Sequence, residues 1–286
     1  MDIETIDPLK YEYSRQLEHI YQPPERLFIR GRLPEKRLKS VAIVGARKPT
    51  AYGREVAQNL ASALARHGVV VISGLAYGID SEAHKACLDA GGTTIAVLAG
   101  GLDKIYPASH KGLAEKIINS GGAILSEYEI GSAPQKFTFL ERNRIVSGLA
   151  DAVVVVEAAA RSGTLSTANH ALDQGKEVFA VPGNITSPLS EGCNKLLKMG
   201  ATPLLSAQDV LDFLFPDGVK DRQASLFSAE NKVEETILQI IQSGERDGDA
   251  IIKKSALSAQ EFSQAITMLE IKGTVKSLGS NKWGLS

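Results

Sequence analysis

The chain has 286 residues, enough for one large domain and a smaller one. Hydrophobic residues make up 43% of the sequence and charged residues 23%, which excludes a collagen, a coiled coil or a fully disordered chain. Lysine and arginine number 32 against 33 for aspartate and glutamate, so no polybasic signal for a membrane surface or nucleic acid exists and any anion site must be local.

The start of the chain and its cysteines indicate a cellular compartment. Residues 1–10 carry three acids and lack the apolar core of a secretory signal, and no run of about 18 apolar residues could span a membrane. Cys87 and Cys193 are far apart and form no CxxC pair, which argues against a zinc site or a disulfide framework. We expect a cytoplasmic protein without a structural metal.

Residues 1–40, with the Pro23-Pro24 pair and mixed charge, are expected to form a lead-in that packs on the large domain. Seven short apolar runs then alternate with helical patterns, at residues 41–44, 69–73, 94–98, 123–126, 153–157, 178–181 and 203–205. Continuous apolar runs are typical of strands buried on both faces. Serial βαβ units with right-handed crossovers predict a doubly wound, Rossmann-like α/β domain with a mostly parallel sheet over residues 41–215.

The C-terminal part of the chain has a different pattern. Residues 216–231 are mostly polar and are expected to form an exposed linker. The tail, residues 232–286, contains one amphipathic helix, a Ser258 and Glu261 capping box before a second helix, a shorter helix between them and a final hairpin. This order predicts a small winged-helix domain.

Small and polar residues follow the predicted strands. In open parallel sheets, ligands bind outside the carboxyl ends of the strands, and glycines let backbone amides approach a phosphate. We call these residues the rim, and we expect phosphate-binding loops at Gly45, Gly74, Gly101, Ser162 and Gly163. A single glycine is as well explained by a tight turn, but the set together favours an anion site.

Known cofactor and catalytic motifs are absent from the sequence. There is no GxGxxG after the first strand, no Walker A loop, no HExxH and no GxSxG. We therefore expect no NAD, no bound metal and no catalytic residue. Glu127 and Glu157 could act as acid or base, but a lone carboxylate at a strand end more often caps a helix or pairs with an arginine.

The segment 135–144 is the densest in unusual residues, with Lys136, Arg142 and Arg144 beside Phe137 and Phe139. Cations that follow phosphates and aromatic rings that stack on bases are the two ingredients of single-strand binding. A helix start whose phenylalanines enter the core, and whose arginines are solvated or pair with carboxylates, explains the pattern equally well.

Six ordered motifs carry a family resemblance: VAIVGAR (41–47), SGLAYGID (73–80), GLDKIYP (101–107), FLERNRI (139–145), RSGT (161–164) and VPG (181–183). Together they resemble the DNA-processing protein A (DprA, also called Smf) family. The resemblance implies a cytoplasmic protein, not an enzyme, that binds single-stranded DNA, protects incoming strands in natural transformation and loads the recombinase RecA. Where the family usually has Ser, Pro and Asn, this chain has Ala46, Leu140 and His110.

The resemblance also implies roles for individual residues. Arg47, Phe139, Arg142 and Arg144 take the DNA-contact positions, and the neighbours of these positions are Lys136, Arg161 and Phe137. It further implies a homodimer of the large domain. We place the dimer interface on the helix after Ser206, whose apolar residues include Val210, Leu211 and Leu214.

Two other functions compete with this one. A phosphoribohydrolase-like nucleotide-processing enzyme of the lysine-decarboxylase-like group would carry PGGxGTxxE, and residues 161–164 lack both its Pro-Gly-Gly and its acid. A regulator that reads duplex DNA through the tail would present cations or amides to base edges. Residues 259–271 carry Glu261 and Glu270 and no lysine or arginine, so cations for base edges are missing there.

Overall fold

A computed structural model describes residues 3–217, 232–242, 244–255, 257–271, 274–279 and 281–285. The chain divides into two compact units, Met1–Lys220 and Asp221–Ser286. Beyond residue 217, the predicted linker at 216–231 lies outside the described residues.

The described part of the first unit contains a sheet of nine strands, mostly parallel. The strand bounds are β1 (Glu4–Ile6), β2 (Leu27–Gly31), β3 (Ser40–Val44), β4 (Val70–Ser73), β5 (Thr94–Val97), β6 (Ala123–Ser126), β7 (Ala152–Val155), β8 (Glu177–Ala180) and β9 (Thr202–Pro203). Their order across the sheet is β1-β2-β6-β5-β4-β3-β7-β8-β9. The strands from β3 onward pair in parallel, whereas β2 runs antiparallel to β6 and β1 antiparallel to β2.

Helices cover both faces of this sheet. The helix bounds are α1 (Ala51–Arg66), α2 (Ile79–Asp89), α3 (Lys111–Asn119), α4 (Lys136–Leu149), α5 (Thr164–Asp173), α6 (Glu191–Lys198) and α7 (Ala207–Leu214). Alternate residues of β3 enter opposite cores: Ala42 and Val44 pack with α4, α5 and α6, and Val41 and Ile43 pack with α1, α2 and α7. Burial on both faces is why the strand sequences are continuously apolar.

All seven apolar runs form strands, with bounds that differ from the prediction by at most two residues. The lead-in does more than pack on the domain, because β1 and β2 extend the sheet beside β6. Leu27 and Ile29 of β2 enter one core while Phe28 enters another, an alternation that a five-residue strand shows only weakly in sequence.

The second unit has the predicted winged-helix order of three helices and a hairpin. Its elements are α8 (Lys232–Gln242), α9 (Gly248–Ser255), α10 (Ala259–Ile271), β10 (Val275–Gly279) and β11 (Lys282–Leu285). The capping box before α10 is present, because the carboxylate of Glu261 accepts from the backbone N–H and the hydroxyl of Ser258. Ile237, Ile251 and Phe262 are buried in a core of this unit's own.

None of the helices in the described ranges is long and apolar enough to cross a lipid bilayer.

Candidate nucleic-acid interface

The topology of the sheet leaves a crevice at the carboxyl ends of β3 and β7. From β3 the chain builds β4, β5 and β6 on one side and then returns to place β7 on the other. The loops after these two adjacent strands therefore separate, as at the ligand sites of other doubly wound sheets. A cleft of about 690 Å³ opens at this point.

Hydrogen bonds between loops hold the walls of the cleft together. The hydroxyl of Thr164, after β7, donates to the carbonyl of Gly45, after β3, over 3.0 Å. The amide of Asn143 on α4 donates to the hydroxyl of Ser166 over 2.8 Å and to the carbonyl of Gly163 over 3.3 Å. The rim loops and α4 thus form one connected frame.

Phe139 is the aromatic centre of the cleft. The guanidinium of Arg47 lies over its ring, with Cζ 5.1 Å from the ring centroid, and the ring of Tyr106 approaches at 5.8 Å between centroids. Arg47 and Lys136 are exposed at the cleft wall, whereas Phe139 is half-buried. The site thus offers solvent-accessible positive charge beside a fixed aromatic face.

Arg142 lines the same cleft but its guanidinium is engaged by the protein. It is 5% exposed, donates from Nη1 to the carbonyls of Gly74 and Val97, and donates from Nε to Asn143. Burial lowers the pKa of Arg142 to about 10, while the nearby carboxylate of Asp80 acts in the opposite direction. Arg142 therefore ties α4 to the loop after β4 and to strand β5.

Asp80 completes this buried group at the start of α2. Its Oδ2 accepts the N–H groups of Gly74 at 3.0 Å and Ala76 at 3.3 Å. Burial raises the pKa of this carboxyl, and the charge of Arg142 opposes the rise. The loop after β4 is thus fixed by one anion and one cation.

The approach of this loop to the loop after β3 requires glycine. Gly78 has φ of 78°, and a Cβ there would lie 2.3 Å from the carbonyl oxygen of Ala46. Any other residue at position 78 would therefore clash with the backbone that leads to Arg47.

Both rim carboxylates have structural partners. Glu127 forms a bidentate ion pair with Arg144, with N–O distances of 2.7 and 2.6 Å. Glu157 accepts the backbone N–H of Thr50 at 2.9 Å and its hydroxyl at 2.5 Å, and Thr50 in turn caps α1 by accepting from the N–H of Gly53. The structure thus favours the pairing and capping roles over acid or base chemistry.

The structure brings together eight of the predicted site residues as cleft lining: Gly45, Arg47, Gly74, Lys136, Phe139, Arg142, Ser162 and Gly163. Phe137 and Arg161 are exposed and lie outside that lining. Gly101 is buried and donates to the carbonyl of Ser132, so its backbone N–H is already used. Arg144, in its ion pair with Glu127, is only 8% exposed. Whether any of these residues contacts DNA stays a prediction.

Tyr106 and Asp80 were missed by the sequence analysis as site residues. Tyr106 stands in the GLDKIYP segment after β5, and its position beyond a strand's carboxyl end was a usable signal. Asp80 lies at the start of a helix, where an acid is ordinarily explained by the helix dipole alone. Its partnership with Arg142 is a long-range contact that the sequence cannot show.

The predicted dimer-interface residues lie in the core of the chain itself. Val210, Leu211 and Leu214 are at most 2% exposed and pack with α1 and the sheet. These three side chains are therefore core residues and offer no surface to a second copy. Phe213, at 44% exposed, is the apolar side chain of α7 that remains accessible.

Two family models match the chain. The model described as DNA recombination-mediator protein A matches residues 4–215, and the model described as the DprA winged helix domain matches residues 223–281. The DNA processing protein DprA of Bacillus subtilis is 43% identical over 213 residues, which cover 74% of this chain and 71% of that protein. For several other curated relatives, the match spans about half of the relative's length.

Two solved structures resemble this chain over about three quarters of its length. DNA processing protein A from Streptococcus pneumoniae superposes with a TM-score of 0.68 at 41% identity, covering 74% of each chain. DNA processing protein A from Helicobacter pylori superposes with a TM-score of 0.67 at 32% identity, covering 76% of this chain and 97% of that one. The structure of the Helicobacter pylori protein is described as revealing a single-stranded DNA binding mode of that protein.

Proposed function

The chain belongs to the DNA recombination-mediator protein A family, and from that premise we propose that its cleft at the carboxyl ends of β3 and β7 binds single-stranded DNA. The observation that carries the proposal is the guanidinium of Arg47 over the ring of Phe139. A phosphate can pair with this cation while the adjacent base stacks on the ring.

The electrostatics of the cleft are local. The chain as a whole has a formal charge of -1, so long-range attraction to nucleic acid is weak. At the cleft, Arg47 and Lys136 are exposed, and Lys136 opens helix α4, whose N-terminal end carries partial positive charge. Phosphates are therefore attracted at this edge of the sheet.

The site fits an unpaired strand better than a duplex. In a duplex the base faces are already stacked on their neighbours, so the ring of Phe139 would have no free base face to stack on. Both rim carboxylates are held by protein donors, and this supports a binding role over catalysis. We extend the proposal to a cytoplasmic homodimer that protects incoming DNA in natural transformation and loads the recombinase RecA, on the strength of the family resemblance.

The proposal is tested by separating charge from stacking. Titrations of labelled single strands over a salt series should give a slope of log affinity against log salt that Arg47→Ala flattens by about 0.7. Phe139→Ala should weaken binding by about 1 to 3 kcal/mol with the slope unchanged, because stacking releases no counterions. Lys39→Ala is the matched control, since Lys39 is exposed just before the amino end of β3, at the opposite edge of the sheet.

Two results would contradict the proposal. One is that both cleft variants bind single strands as tightly as the parent protein. The other is an affinity that stays constant from a mononucleotide to a long single strand, which would favour a nucleotide-processing site over a DNA-binding one.

A further inference from the structure

A second pair of aromatic side chains lies near the cleft but is not part of its lining. Tyr77, in the loop after β4, contacts His110 edge-on, with 5.0 Å between ring centroids. The ring of Tyr77 is 48% exposed although its loop is otherwise well packed, since Leu75 is fully buried. About half of the Tyr77 side chain is therefore open to solvent at the rim, where a ligand could reach its ring.

Hydrogen bonds hold both members of this pair in place. The hydroxyl of Ser109 donates to the phenol oxygen of Tyr77 over 3.2 Å, and Nδ1 of His110 lies 2.9 Å from the carbonyl of Leu75, to which it donates. Both rings are therefore fixed in orientation before any ligand arrives. Stacking on a fixed ring costs less ordering entropy than stacking on a mobile one.

Tyr106 connects this pair to the cleft. Its ring is 48% exposed and lies 5.8 Å from that of Phe139, and His110 follows only four residues later through a short turn at Ala108–His110. Four residues span at most about 14 Å. The loop after β5 thus links the rings of Phe139, Tyr106 and Tyr77 at the rim, through the contact of Tyr106 with Phe139 and of His110 with Tyr77.

The charges on this edge suit a polyanion. Lys104 and Lys111 are exposed and flank the segment that carries Tyr106 and His110. The segment between them contains no acid, and the carboxylate of Asp103, just before Lys104, accepts the backbone N–H of Gly131 over 2.8 Å. Cations beside exposed rings are the same combination that the cleft itself presents.

From this arrangement we infer a second base-stacking site at Tyr77, so that a single strand bound at Phe139 continues over Tyr106 and places a later base on the Tyr77 ring. The inference rests on the proposed function of the cleft. It adds the path of the bound DNA over the protein, which runs from α4 toward the loops after β4 and β5. The occupant is a further nucleotide of the same strand.

The inference predicts a dependence on strand length that the cleft alone would not give. With oligothymidylates of about 2 nucleotides, which have too few bases to start at Phe139 and continue over Tyr106 to Tyr77, Tyr77→Ala should bind like the parent protein. With oligothymidylates of about 15 nucleotides, Tyr77→Ala should bind about 5- to 150-fold more weakly, at an unchanged salt slope. Tyr77→Phe keeps the ring and should restore the affinity of the parent.

Tyr11→Ala is the matched control, because Tyr11 is similarly exposed, at 43%, and lies two residues from the buried Tyr13 beside Arg37 and away from the rim. Thermal unfolding of each variant checks that it folds. If Tyr77→Ala binds long strands like the parent while Phe139→Ala does not, the second site is wrong and the cleft assignment stands. If the parent itself binds no single strand, both are wrong. A loss with Tyr77→Ala that is equal at both lengths would place Tyr77 in the primary site and overturn the second one.

Discussion

Nη1 of Arg142 donates to the carbonyl oxygen of Gly74 over 2.9 Å, and the absence of a side chain at Gly74 is what makes room for it. A Cβ at position 74 would lie 2.5 Å from Nη2 of the same guanidinium. The guanidinium is also held by the carbonyl of Val97, so it cannot simply move aside. The loop after β4 and helix α4 are therefore fitted to each other through this one contact.

Gly74→Ala should consequently lower the free energy of unfolding by about 1 to 3 kcal/mol, the usual cost of overpacking a buried site. Denaturant titration of the parent and the variant measures this difference in the free energy of unfolding. Gly112→Ala is the control, because nothing lies within 4 Å of a Cβ at that helical position, and it should leave stability unchanged or slightly raised. Equal stability of the two variants would mean that the guanidinium has room to move.

The ion pair between Arg144 and Glu127 makes a second prediction. Glu127→Gln removes the negative charge that is paired with the guanidinium of Arg144, a residue that is only 8% exposed. We expect a loss of about 1.5 to 3 kcal/mol in unfolding free energy, the range for hydrogen bonds to charged groups. The salt slope of DNA binding should stay that of the parent. A slope flattened by about 0.7 in Arg144→Ala would instead show that Arg144 neutralises a phosphate, as the family resemblance implies.

Much of the fold could be predicted from the sequence, because strands buried on both faces have to be apolar throughout and their runs are visible in it. The role of the arginines on α4 could not be predicted in the same way. Their charge suggests exposure to DNA, yet Arg142 and Arg144 are buried and reach partners 68 and 17 residues away in sequence. Such pairings depend on which strands the topology places beside α4.

His84 makes stability depend on pH. Its ring is fully buried, and burial, with the charges of His110 and Arg142, lowers its pKa from 6.5 to about 3. Below pH 6.5 the unfolded chain binds a proton that the folded protein does not, so stability falls as the pH is lowered toward 3. The contribution of His84 to the free energy of unfolding changes by about 1.4 kcal/mol per pH unit.

Unfolding free energies measured across this range should fall less steeply in His84→Gln than in the parent, and parallel curves would contradict the assignment. Exposed His19→Gln controls for the loss of a histidine.

The position of α7 leads to a prediction that separates core from surface. Leu211 is 2% exposed inside the core, so Leu211→Arg should unfold the first unit or destabilise it strongly, whatever the oligomeric state. Phe213, half-exposed and 5.9 Å from the ring of Phe179, can accept Phe213→Arg with little loss of stability. Sedimentation of that variant then tests whether this helix contributes to a homodimer. A stable, folded Leu211→Arg protein would show that the core assignment is wrong.

The cleft and the winged helix belong to separate units, and this gives the last prediction. Every residue that lines the cleft lies within Met1–Lys220, which has hydrophobic cores of its own, and the apolar residues of the tail pack among themselves. A chain that ends at Asp217 should therefore fold and keep its affinity for single strands to within about threefold, less than 1 kcal/mol. The tail has little to add directly, because the seven basic residues of 232–286 are balanced by seven acidic ones, and helix α10 carries Glu261 and Glu270 and no cation. Titration of the intact and shortened chains with the same labelled oligonucleotide checks this, with thermal unfolding to establish that the shortened chain is folded. Loss of nearly all binding by a folded shortened chain would show that the principal DNA contacts lie in the winged helix. In that case the salt slope measured for Arg47→Ala would match that of the parent.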